Sequence, residues 1–254
     1  MLLDHLSCAP DGEPGEQVDI ERGAAAFMVR HAAGHVVVDD DDALAAHLLA
    51  AAVESFLRHV CGLVVLHAAG VAADDVAVVL LAPSGSGKTT LAGALAASGL
   101  TYLADDVIPV DAGSGAIRPV PMPQCAKPGS WKLLDPYGRA PQSLRLGRPT
   151  RYVMPAGFAT RPYADYIIVC PRYRQGGAGA ACRRLSAVEL LSQMAASESL
   201  RTPGLDAARL ERIIEWVSRQ KAWSLEFGDT RAAIRCVRAL AAAQCRSAAQ
   251  TGRP

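Results

Sequence analysis

Six apolar residues, Val76 to Leu81, run straight into APSGSGKTT at 82 to 90 and then into a helical pattern. Residue types in that order make a phosphate cradle. Gly85 and Gly87 let consecutive backbone N–H groups turn inward with no Cβ in the way. The following helix offers its positive end, Lys88 can reach terminal phosphates, and the Thr89 hydroxyl can ligate Mg²⁺. The expected ligand is a nucleoside triphosphate held by Pro83, Ser84, Gly85, Ser86, Gly87, Lys88, Thr89 and Thr90. Ala82 stands where the usual eight-residue pattern has its first glycine, which alanine can replace if the backbone there is ordinary. A Gly-Ser loop that merely turned the chain would not need Lys and Thr side by side.

A second chemical pair, Asp105 and Asp106, closes the strand expected just after the loop helix, and catalytic groups gather at such strand ends. Phosphoryl transfer needs a metal, positive charge on the equatorial oxygens, and a carboxylate that accepts the proton of an attacking hydroxyl. One aspartate for the metal and one for the proton would suffice; an acidic turn explains the pair equally well. Four further carboxylates, Asp39 to Asp42, read as an exposed turn at a helix N-terminus. The seven cysteines are scattered without Cys-x-x-Cys spacing and read as free thiols in a reducing cytoplasm.

These groups need a sheet to position them. Strands expected at 25–30 and 35–38, with a helix over 43–59, form a small N-terminal α/β subdomain, residues 1–62. Apolar runs at 63–71 and 76–81, joined by a tight turn at 72–75, bring in the phosphate loop, and the helix at 89–97 stops at Gly99. Strands follow at 100–103, 107–110 and 116–120, the last two flanking the turn residues Asp111 to Gly115. The proline-rich stretch 119–128 cannot be helical, and 129–165 has no clear period. A buried strand at 166–170 precedes a glycine-rich loop at 174–181. Ser186 and Glu189 form a capping box for a helix to 196, and Asp206 caps another to about 221, with Leu210, Ile213, Ile214 and Val217 on one face. A strand at 223–227 and a helix capped by Asp229 complete a core over 63–245, and 246–254 reads as a frayed tail. The fold class is α/β, a mixed sheet flanked by helices.

Half of the 254 residues are apolar and the formal net charge is +1. That length suits one large domain with a small attachment. Near-neutral charge without a basic run argues against a nucleic-acid partner. The acidic N-terminus lacks a charged leader and apolar core, and the alanine-rich run from Ala43 is interrupted by His47. Neither a secretion signal nor a membrane span is expected, which points to the cytoplasm.

Three segments, LHAAGV at 66–71, SGSGKTT at 84–90 and LADD at 103–106, together resemble HPr kinase/phosphorylase and its smaller HPr-kinase-related relatives. His67 stands 21 positions before Lys88 and Asp105 stands 17 after it, the order and separation found in that family. The resemblance covers roughly residues 60 to 240, densely at first and thinly after 130. It implies a phosphate-loop fold of the HPr-kinase-like, phosphoenolpyruvate-carboxykinase-like kind, with ATP and Mg²⁺ as cofactors. It also implies catalytic roles for Asp105, His67 and Lys88: Asp105 takes the proton of a protein serine, and His67 lies beside the aspartates. Thr89 and Asp106 serve the metal. Taken alone, His67 would be an ordinary strand histidine. Lys127, in CAKPGS, sits where the related kinases tend to carry a lysine and suggests a phosphate or substrate contact; a solvated lysine explains it equally.

Two departures shape the expectation. No Glu-x-Arg-Gly run follows the aspartate pair, so the reverse phosphorolysis of the bifunctional enzymes is not expected. Only about sixty residues precede the core, so HPr itself is not the expected substrate. The resemblance is to the shorter branch, which includes kinases of ribosomally made peptides such as lasso peptides. The implied function is an ATP-dependent, Mg²⁺-requiring kinase acting on a serine hydroxyl of a peptide or protein partner. A small-molecule hydroxyl kinase and a nucleotide-dependent regulatory protein with slow hydrolysis remain alternatives. Relatives of this fold often form rings, which leaves a homo-oligomer open. Arg139, Arg145, Arg148, Arg151 and Arg161 form the pool that could assist transfer, each as readily explained by solvation or ion pairing.

Overall fold

The computed structural model describes residues 19–23, 26–31, 34–38, 44, 48, 63–111, 113–120, 122, 124–131, 151–153, 155, 157–197, 200 and 206–250. The chain divides into two compact units, Met1–Cys61 with Ser143–Thr150, and Gly62–Gln142 with Arg151–Pro254. In the first, β1 (Asp19–Arg22), β2 (Phe27–His31) and β3 (Gly34–Val38) form an antiparallel sheet in that order. β2 and β3 match the expected strands. β1, of sequence DIER, carries no apolar alternation and joins by pairing, with Arg30 meeting its diagonal neighbour Glu21 at 3.0 Å. Residues 44 and 48 are helical; the rest of the helix expected at 43–59, and the acidic run 39–42, lie outside the described residues.

The second unit contains β4 (Leu63–Leu66), β5 (Ala69–Ala73), β6 (Val76–Leu80), β7 (Thr101–Ala104), β8 (Ile108–Asp111), β9 (Gln124–Ala126), β10 (Arg151–Val153), β11 (Asp165–Tyr173), β12 (Ala180–Leu185) and β13 (Ala222–Phe227). Six of them make a mixed sheet in the order β12-β13-β11-β6-β5-β7, in which β11 runs parallel to both β6 and β13 and the other pairs are antiparallel. β6 is buried at every position, which is why its sequence is a continuous apolar run rather than an alternation. The helices α1 (Lys88–Ala97) and α4 (Thr230–Gln250) cover one face, Leu91, Leu95, Ala233 and Val237 packing with Val78, Leu80, Ile167, Val169 and Leu225. Each large aliphatic side chain buried there contributes roughly 1.5–3 kcal/mol. α2 (Ala187–Ala196) and α3 (Ala207–Ser218) pack on one another, and Trp216 Nε1 donates to the Tyr166 hydroxyl at 2.6 Å, tying α3 to β11. Burial pushes that phenol up to about 12.

The apolar run at 63–71 is not one strand. It breaks at His67 and Ala68, so that β4 pairs with β8 while β5 enters the main sheet between β6 and β7. The packing behind the break is tight: a Cβ on Gly70 would lie 2.8 Å from Ile108 Cδ1 and 3.3 Å from Leu103 Cβ, and the β5–β7 register shifts at Gly70/Val71. The strand expected at 116–120 shrinks to bridges from Ile117 to Val110 and Tyr163, since Pro119 has no N–H to extend the ladder. β12 was hidden by Arg183 and Arg184, charges that suit the edge position it occupies. α3 ends at Ser218, and of its apolar stripe Ile213 and Val217 are buried while Leu210 and Ile214 are exposed. α4 continues to Gln250, past the point where fraying was expected, through alanine, glutamine and arginine, which are strong helix formers.

Candidate phosphate site and its carboxylates

The loop between β6 and α1 is shaped by two left-handed glycines, Gly85 at φ 84° and Gly87 at φ 95°. Gly87 caps α1 without a side-chain bond, and its carbonyl accepts from Leu91 N at 2.8 Å. The first turn of α1 therefore directs its remaining N–H groups at the loop mouth. Ala82 lies outside the left-handed region, which explains how alanine serves there. Lys88 is only 5% exposed, with its ammonium donating to the carbonyl of Ala82 and, at 3.4 Å, to that of Pro83. Ser86 Oγ is buried with no partner among the described residues, leaving a hydroxyl in the loop whose bonding is unmet.

Asp105 and Asp106 follow β7, and the left-handed backbone of Asp106, φ 65°, sends the two carboxylates apart. Asp105 is 3% exposed and its Oδ1 accepts from the Thr89 hydroxyl at 3.1 Å. The Asp106 side chain is 50% exposed and its Oδ1 lies 3.1 Å from His67 Nε2. His67 reaches it because it occupies the break between β4 and β5. The structure thus joins loop, aspartates and histidine, but it bonds Thr89 to Asp105, whereas the resemblance groups Thr89 with Asp106. A left-handed aspartate carries strain of the kind that collects at functional sites.

The segment after the proline-rich stretch also reaches the loop. Gln124, buried in β9, donates to the Thr89 carbonyl, the Ser130 and Thr90 hydroxyls are hydrogen-bonded, and Lys127 Nζ donates to Ser84 Oγ at 2.9 Å. Lys127 therefore brings a second ammonium to the loop. Gln124 and Ser130 could not have been found from sequence, because neither belongs to a local pattern. Tyr173, at the end of β11, is invisible to sequence for the same reason; its N–H donates to Ser86 O at 3.2 Å.

Of the arginine pool, Arg161 is engaged with Asp75 and stands 4.7 Å from the centre of the Tyr163 ring. Arg139, Arg145 and Arg148 lie outside the described residues, as does the side chain of Arg151. Among the described residues no group of three or more His, Cys, Asp or Glu is placed to hold a metal ion. The available donor set is one hydroxyl and two carboxylates, which suits Mg²⁺, an ion that keeps several waters and takes phosphate oxygens as ligands. No described helix is long and apolar enough to cross a membrane. No protein-family model matches the chain, and no curated protein matches it.

Proposed function

We propose that the chain is an ATP-dependent kinase of the HPr-kinase-like, phosphoenolpyruvate-carboxykinase-like kind, transferring the γ-phosphoryl group to a hydroxyl, that of a serine in a peptide or protein. The observation that carries this reading is the convergence on one loop of Lys88, the Thr89–Asp105 bond and the Asp106–His67 pair. A protein that only bound nucleotide would need the loop but not a second, solvent-facing carboxylate held by a histidine.

In this reading, loop N–H groups from Ser84 to Thr89 hold the β-phosphate, and Lys88 exchanges its carbonyl partners for phosphate oxygens. Lys127 adds charge at the loop mouth. Thr89 and the buried Asp105 would hold Mg²⁺, which would supply positive charge against that developing on the transferred group. The acceptor oxygen bonds to the γ-phosphorus, the bond to the β-bridging oxygen breaks, ADP leaves, and the hydroxyl proton passes to a carboxylate facing the incoming acceptor. Exposure favours Asp106, oriented by His67, over Asp105 for that proton, which reverses the division implied by the resemblance. Burying Asp105 against Thr89 fits a metal-positioning group.

Incubation with γ-labelled ATP, Mg²⁺ and size-fractionated extract of the source organism tests the function. Label should enter a peptide or protein, and both Asp105→Asn and Asp106→Asn should lower transfer about 10²-fold or more. If Asp106 accepts the proton, Asp106→Asn keeps Mg²⁺-dependent ATP binding while Asp105→Asn weakens it. Label in a small metabolite would instead identify a small-molecule kinase. Free phosphate alone, formed equally by wild type and both variants, would sink the kinase reading.

A further inference from the structure

Beside the phosphate loop stands an aromatic side chain that the proposed chemistry does not use. Tyr173 is the last residue of β11, the strand paired in parallel with β6, so both strands end on the same side of the sheet and the loop leaves from one of them. Its N–H bonds Ser86 O at 3.2 Å, and a Cβ on Gly87 would lie 3.6 Å from its Cβ. The ring is 5.6 Å from that of Phe227, edge to face, yet the residue stays 48% exposed. Phe227 itself is buried. A large half-exposed ring fixed against the loop leaves apolar area in water that packing has not claimed.

The surroundings make this a formed surface. Arg174 NH2 meets Glu226 Oε1 at 3.1 Å, and Arg174 N donates to Phe227 O at 2.8 Å. The glycine-rich turn beyond it is tied down: Gly177 N donates to Arg174 O at 3.0 Å, and Gly228 N to Gly179 O at 3.1 Å. Gly177 and Gly228 touch so closely that a Cβ on Gly228 would fall 2.0 Å from Gly177 O. The strand end that carries Tyr173 is thus fixed by backbone bonds, and its ring shares a sheet face with Phe227, the residue it pairs with across the β11–β13 register.

We propose that Tyr173 is the stacking platform for the purine base of the nucleotide whose phosphates occupy the loop. The inference rests on the nucleotide reading above and adds to it the site of the base. Stacking on an aromatic face is tolerant of base identity, so ATP and GTP bind alike and the smaller rings of CTP and UTP bind less tightly.

Calorimetric titration of the whole chain with ATP and, separately, with inorganic triphosphate, both with Mg²⁺, tests this. Tyr173→Ala is expected to weaken ATP binding about tenfold, Tyr173→Phe to stay within about twofold of wild type, and triphosphate binding to be the same in all three. Unchanged ATP binding by Tyr173→Ala overturns the proposal. Equal loss of ATP and triphosphate also overturns it, because the ring would then serve only to hold the loop. If wild type binds neither probe, the nucleotide reading itself falls and takes the platform with it, a result distinct from one in which wild type binds both and the variants match it.

Discussion

Two glycine-rich turns come after two neighbouring parallel strands, and only one of them leads into a helix. The turn after β6 holds left-handed Gly85 and Gly87; the turn after β11 holds left-handed Gly176 and Gly179. Beyond Gly87 the chain enters α1, which leaves first-turn N–H groups directed at the turn and places Lys88 and Thr89 at its edge. Beyond Gly179 it enters β12, which pairs antiparallel with β13, while the Gly179 carbonyl accepts from Gly228 N. Glycine content supplies the conformational freedom in both. The element that the chain enters after the glycines, helix or strand, decides whether the backbone donors face a ligand or are consumed by the ladder.

The contrast breaks most severely at Lys88. Lys88→Ala leaves the loop backbone in place but removes its charge, and both ATP affinity and phosphoryl transfer should drop, transfer by on the order of 10²-fold, as read by titration and steady-state kinetics. Retained transfer would mean the backbone alone makes the cradle. In the second turn, Gly228→Ala drives a Cβ into the Gly177 backbone and should cost roughly 1–3 kcal/mol in denaturant unfolding, with inorganic triphosphate binding unaffected. Gly176→Ala meets no atom within 4 Å, so only its φ of 74° opposes it, at about 1 kcal/mol.

An effect of the same size lies just past β12. Ser186 Oγ accepts from Glu189 N at 3.3 Å, and the Glu189 carboxylate accepts from Ser186 N at 2.8 Å. Ser186→Ala should cost about 1 kcal/mol. The bond from the Ser186 backbone, together with Arg183, holds the Glu189 carboxyl down at about 2. A lowered folded-state pKa means the contribution is complete above the ordinary value of 4.5 and is lost as pH falls toward about 2. Glu189→Gln should flatten that part of the stability profile, which thermal melts across pH would read.

Local patterns in the chain already determined a good deal. The glycine-rich loop after β6, the helix α1 and the strand before it arise from glycine placement, Lys-Thr and a buried apolar run, all within a single short stretch of chain. The capping box at Ser186 and Glu189, the Asp206 cap and the hairpin turn at Asp74 are short-range hydrogen-bonding devices of the same kind, written where they act. Tertiary structure alone decided the rest. The break at His67 is where β4, paired with β8, gives way to β5, paired with β6 and β7, and β12 exists as a strand only because β13 offers it a ladder. The division of the two aspartates came from the backbone turn at Asp106 and from partners, Thr89 and His67, that lie 16 and 39 residues away. Likewise Gln124 and Lys127 meet the loop across separations of 35 and 43 residues, and Tyr173 across a longer one still. Short-range patterns record what a residue does to its own backbone, whereas a contact between distant segments is set by how whole elements pack.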